Sequence, residues 1–164
     1  MLKNIIIGLS GALLLALAAC GGGSSASSPS VAKPSAPTSA AAKPAAPSAS
    51  VVGQKAPGPF SANGTVTVDA AGAAALEATD TLKWQPDVLV AKPGTKVTLT
   101  VKNGGASAHT FLSPALGITS PVEVNNGQTV TASFTTPTQP GAYQFWCNIP
   151  GHAEAGMVGE VIVQ

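Results

Sequence analysis

The stretch that most limits the fold lies near the end of the chain. From Tyr143 to Met157 it carries a thiol, Cys147, an imidazole, His152, and a thioether, Met157, at the spacing C-x4-H-x4-M. A second imidazole, His109, comes from a separate upstream segment, so the four groups can meet only on folding. Two nitrogens and a thiolate in a trigonal plane, with a weak axial thioether, are the ligand set of a type 1 (blue) copper site. Singly, each residue has an ordinary reading, since a buried cysteine is often a small hydrophobe and a methionine core filler. Together they weigh differently, because the chain has only two histidines and two methionines, and Met1 is the initiator.

Other metals fit this set less well. Structural zinc favours four strong tetrahedral ligands, and catalytic zinc three strong ligands plus water. An iron–sulfur cluster needs several thiolates, and only one is available beside the loop. A binuclear copper site would need a second cysteine in the loop. The metal expected is therefore one copper ion, held by His109, Cys147, His152 and, weakly, Met157.

The same residues carry a family resemblance. Tyr143-x-Phe145-x-Cys147, then Pro150-Gly151-His152, then Met157, with His109 beyond the strand ending at Asn103, resemble the cupredoxins: plastocyanin, azurin and especially the auracyanins, which share the C-x4-H-x4-M loop. The resemblance covers residues 60–164 and implies a Greek-key β-sandwich with a single copper that carries electrons. One position departs from plastocyanin and azurin. Those proteins have Asn after the first histidine ligand, where it helps to tie the two ligand loops together; this chain has Thr110.

Hydropathy patterning independently reads as all-β. Thr65–Val68, Lys96–Lys102, Val130–Phe134 and Tyr143–Cys147 alternate polar and apolar residues, the period of a half-buried strand. Leu82–Val90 (interrupted at Pro86), Pro121–Val124 and Glu160–Val163 are further candidates. Turn signals at Pro93-Gly94, Gly104-Gly105, Asn126-Gly127 and Pro140-Gly141 separate them. Short strands at this spacing argue for a sandwich or barrel. Ala70–Ala78 reads as a short helical turn or a loop. Along Tyr143–Cys147 the period of two sends Tyr143, Phe145 and Cys147 to the core and Trp146 to the other face.

The segment before this domain reads as an export and tethering device. Lys3 precedes an uncharged apolar run from Ile5 to Ala19, short for a membrane span of about 20 residues. The run ends in Leu17-Ala18-Ala19-Cys20, which resembles a bacterial lipobox. Residues 1–19 are thus expected to be a lipoprotein signal peptide and Cys20 the lipidated residue. Residues 20–59 read as a flexible Ala/Pro/Ser-rich linker, too poor in buriable side chains to offset its own ordering entropy. Such a tether would reach roughly 35 Å as a coil and roughly 120 Å as extended polyproline II. No disulfide is expected, because Cys20 belongs to the tether and Cys147 to the metal pattern.

Charge narrows the partners. The domain's four lysines face seven carboxylates, and the chain has no arginine. Nucleic-acid binding, which needs clustered cations, is excluded. The expected function is a membrane-tethered, monomeric one-electron carrier outside the cytoplasm, serving redox proteins or membrane electron-transfer complexes. The resemblance to auracyanins implies service between a quinol-oxidising complex and a reaction centre or terminal oxidase. A copper storage or delivery protein is the alternative. An enzyme is not expected, because copper oxidases add centres built from histidines and both histidines here are already assigned. His152 and Trp146 are the candidate points at which electrons leave.

Overall fold

The computed structural model describes residues 49–164; the signal segment, Cys20 and the linker as far as residue 48 lie outside the described residues. Ten strands follow in order: β1 (Thr65–Thr67), β2 (Ala73–Thr79), β3 (Lys83–Gln85), β4 (Val88–Ala91), β5 (Lys96–Asn103), β6 (His109–Ser113), β7 (Ile118–Val124), β8 (Thr129–Thr135), β9 (Gly141–Trp146) and β10 (Val158–Val163). A six-stranded sheet runs β1-β4-β10-β9-β6-β7 and a four-stranded sheet runs β3-β2-β5-β8. One core draws on both, so the all-β sandwich expected from the sequence is the observed architecture.

Alternation becomes packing in a direct way. In β5, Val97, Leu99 and Val101 are fully buried while Lys96, Thr98 and Lys102 are exposed. Across the ladder Val97 pairs with Phe134, Leu99 with Ala132 and Val101 with Val130, so bulky and small side chains alternate. Pro86 has no N–H for a ladder, and it divides β3 from β4.

Two elements differ from the sequence reading. Ala73–Thr79 is a strand, neither a helical turn nor a loop. Alanine favours helix intrinsically, but here the segment pairs in parallel with β5 and antiparallel with β3, and sends Leu76 and Ala78 into the core. Ladder pairing and burial outweigh a propensity of a few tenths of a kcal/mol per residue. The other is β6, which has no counterpart among the strands read from sequence. Its signal is short: His109, Phe111 and Ser113 point inward and Thr110 and Leu112 lie half-exposed.

The domain also begins earlier than residue 60. Every residue of β9 and β10 is buried, so both faces of that part of the sheet are covered. Residues 49–62 form the cover. The Val52 N–H donates to the Ala142 carbonyl (2.7 Å), and the Ala142 N–H to that of Ser50 (2.9 Å). Ala49, Phe60 and Ala62 pack against Val88, Ala142 and Ile162, while Ala56 and Phe60 pack against Trp146, Ala153 and Val158. Between these apolar patches, the Gln144 side chain accepts from the Ala56 N–H (2.9 Å) and donates to the Glu160 carboxylate (3.0 Å). Burial raises the Glu160 pKa above the usual carboxylate range. The last residues of the presumed linker are therefore an ordered strap, because the outer sheet face is too apolar to stand in water.

Candidate metal centre

Three chain segments converge at one end of the sandwich. His109 opens β6, Cys147 follows the last residue of β9, and Met157 precedes β10. The period of two that aims His109 and Cys147 inward also aims Phe111 and Phe145 into the core beside them. Those rings lie 4.9 Å apart, and each meets Trp84 edge-on at 6.0 and 5.9 Å. This aromatic floor, fully buried, fixes the strand ends that carry the donors.

The donor atoms of His109, Cys147 and His152 all lie within 4.8 Å of one another. Cys147 Sγ is 3.4 Å from His152 Nδ1, and the two imidazole centroids are 5.3 Å apart. Neither ring nitrogen of His109 has a hydrogen-bond partner, although the residue is 1% exposed. A buried polar atom left unpaired costs about 1–3 kcal/mol, and a metal bond would relieve that cost at one nitrogen. Burial, and secondarily His152, holds the His109 pKa below the ordinary imidazole value, which favours the neutral form that binds metal. The Met157 side chain is also fully buried.

The loop from Cys147 to Met157 is closed by its own backbone. The Cys147 N–H donates to the Met157 carbonyl (3.1 Å), and the Met157 N–H to that of His152 (3.0 Å). Gly156 turns the chain at φ +95°, and a Cβ there would meet Lys83 Nζ. From outside, the strap presses on the same loop. A Cβ on Gly58 would collide with the Ala153 carbonyl oxygen, so only glycine allows this approach.

Thr110 resolves the departure seen in the sequence. Its backbone N–H points at Cys147 Sγ (3.4 Å), and its hydroxyl donates to Asn148 Oδ1 (2.6 Å) while accepting from the Asn148 N–H (2.9 Å). Threonine and Asn148 together tie the two ligand segments. Pro150 contributes no N–H toward the sulfur. Thr110→Val is expected to remove both hydroxyl bonds and lower stability by about 1 kcal/mol, as for a modest net loss of hydrogen bonding. Denaturant unfolding measures this, and the copper-loaded chain should keep its colour because the N–H to sulfur remains.

One expectation about the surface changes. Trp146 does lie on the face opposite Cys147, but the strap covers it and it is 4% exposed. Around His152, Ala153 is buried as well, while Asn148, Pro150, Gly151, Glu154 and Ala155 are exposed. His152 itself is half-exposed.

The model of the Cupredoxin-like domain family matches residues 51–163. The chain belongs to that family. The match starts where the strap joins the sheet. The cupredoxin's cofactor is copper, which the His–Cys–His group fits. Among curated proteins, the copper-resistant cuproprotein CopI of Rubrivivax gelatinosus is 29% identical over 105 residues, 52% of this chain. This chain spans 62% of that relative's length. Dithionite-reduced auracyanin from Roseiflexus castenholzii aligns with TM-score 0.49 and 20% identity, over 58% of this chain and 99% of that one. Auracyanin A, a blue copper protein of Chloroflexus aurantiacus, gives 0.47 and 22%, over 62% and 100%. The laccase-like multi-copper oxidase CueO of Ochrobactrum gives 0.50 and 17%, over 65% of this cupredoxin and 30% of the oxidase. At these identities the likeness concerns the fold alone.

Proposed function

We propose that this cupredoxin is a one-electron carrier, anchored by lipidated Cys20 outside the cytoplasmic membrane. The observation that carries the reading is the convergence of three donor atoms within 4.8 Å on a buried frame. Bound copper would supply a Cu(II)/Cu(I) couple there, held strongly by His109, Cys147 and His152 and weakly by Met157. His109, Cys147 and Met157 exclude water, each being at most 1% exposed. The hydrogen bonds through Thr110, Asn148 and the Met157 backbone hold the donors in one arrangement whatever the oxidation state. Small rearrangement on gaining or losing an electron is what a carrier needs. His152, the one half-exposed donor, is the exit for electrons toward redox proteins or membrane complexes; buried Trp146 is the lesser candidate.

The enzyme reading has little to build on, because the chain's two histidines both belong to this one group. Copper storage or resistance remains a second reading, favoured by the relative named for copper resistance. The closed, buried donor set supports the carrier over it. Loading the chain with copper and recording its visible spectrum through repeated oxidation and reduction tests the choice. A carrier keeps its copper and returns the same band each cycle. Loss of metal on reduction, with transfer to a chelator, would support copper handling.

The anchor has its own test. Cys20→Ser is expected to move the protein from the detergent phase to the soluble extracytoplasmic fraction, or to stall it as an uncleaved precursor. Identical fractionation of variant and wild type would refute lipidation.

A further inference from the structure

The turn joining β2 to β3 reaches both ligand segments. Asp80, at its exposed tip, accepts from the Ala106 N–H through both carboxylate oxygens (2.9 Å each) and from the Ser107 N–H (3.0 Å). These amides lie in the loop that leads into His109. The bonds, Ala106 first and Ser107 next, hold the Asp80 carboxyl below its usual pKa, so it is ionised at neutral pH. At the other end of the turn, Lys83 Nζ donates to the carbonyls of Ala155 (3.3 Å) and Gly156 (3.1 Å), and the Trp84 indole N–H to that of Met157 (3.2 Å). These carbonyls lie in the segment between His152 and Met157.

Two further observations mark this turn. Leu82 sits at φ +55°, a left-handed backbone that a bulky residue adopts only under constraint from its surroundings. And among the described residues the one ion pair is Lys102–Glu77. Among the described residues neither Asp80 nor Lys83 thus has a side-chain counter-ion within ion-pair distance, Asp87 attracting Lys83 only from further away; each directs its charge at the backbone of a ligand segment.

We propose that Asp80 and Lys83 are positioning residues of the copper centre, and that their opposed charges set its reduction potential in opposite directions. This rests on the type 1 copper reading. Reduction adds one electron, taken from the redox partner, and lowers the net charge of the centre by one. A nearby carboxylate favours the more positive oxidised centre, and a nearby ammonium the reduced one. Water screens both groups, so each effect is small and of definite sign.

Asp80→Asn removes the charge and replaces one of the two acceptor oxygens on the Ala106 and Ser107 amides by an amide donor. Lys83→Gln removes the charge and shortens the side chain by one atom. Both keep a polar side chain on an exposed or half-exposed turn, so the fold should survive and the salt dependence isolates the electrostatic part. In the full copper-loaded chain, Asp80→Asn is expected to shift the Cu(I)/Cu(II) ratio at fixed ambient potential about twofold toward Cu(I), the scale of a screened surface charge. Lys83→Gln should shift it about twofold toward Cu(II). Both shifts should shrink as salt is raised, and the double variant should return near wild type. In the copper-free chain, Asp80→Asn should speed hydrogen exchange at the Ala106 and Ser107 amides. Shifts of the same sign, or unshifted variants of a wild type with a reversible couple, overturn the electrostatic role; unchanged exchange overturns the positioning role. A wild type with no blue band or no reversible couple instead fails the carrier reading, and the copper-free exchange still decides the positioning.

Discussion

Cys147→Ser is expected to abolish the intense visible absorption of the copper-loaded chain. That band requires a thiolate sulfur bonded to Cu(II), and Cys147 is the only thiol in residues 49–164. Neighbouring groups cannot substitute. Thr110 offers a hydroxyl and an N–H near Sγ, neither of which is a soft anionic donor. The change should leave the fold intact, because serine matches the shape of cysteine and its hydroxyl lies near the Thr110 and His152 groups that now approach Sγ. The readout is paired: visible absorption of the loaded chain, and thermal unfolding of the copper-free chain. A variant that folds and keeps full colour would sink the ligand assignment.

Trp84→Ala should produce the largest loss of stability. Trp84 is fully buried, meets Phe111 and Phe145 edge-on, and donates its indole N–H to the Met157 carbonyl. Truncating a buried tryptophan costs about 3–5 kcal/mol through lost transfer energy and the cavity left behind. A domain of this size has only about 5–15 kcal/mol in total. Trp84→Phe separates the terms. It keeps most of the packing and gives up the hydrogen bond, which is worth about 1 kcal/mol net. Denaturant midpoints of the copper-free variants measure both. A loss under about 1 kcal/mol for the alanine variant would mean that the aromatic floor collapses to fill the space, and that the donors do not depend on it.

The strap accounts for the burial of Trp146 and Ala153. Alternation along β9 correctly assigns Trp146 to the face opposite Phe145. What it cannot say is what covers that face. Ala56 and Gly58 stand in a stretch whose composition matches a solvated tether, and their burial depends on a sheet face assembled from β4, β9 and β10 and on the loop beside it. Linker composition is a local property; the apolar surface that orders its last residues is not.

The loop half of the candidate site was legible because its chemistry is rare and local; that His109 joins Cys147 and His152 was decided by the fold. A thiol, an imidazole and a thioether in one loop raise the expectation of a soft metal site by residue type and spacing alone, and alternating residues specify the strands that bury their inner faces. The second tier was decided by contacts between segments far apart in the chain. Ala73–Thr79 became a strand because β3 and β5 flank it. Thr110 took over the tying of the ligand segments because Asn148 stands opposite it, and the β2–β3 turn reached both segments because the second sheet delivers it there. A sequence encodes side-chain chemistry and local period directly. Which backbone group each polar side chain meets is set only when two sheets, each too apolar to remain alone in water, close on one another.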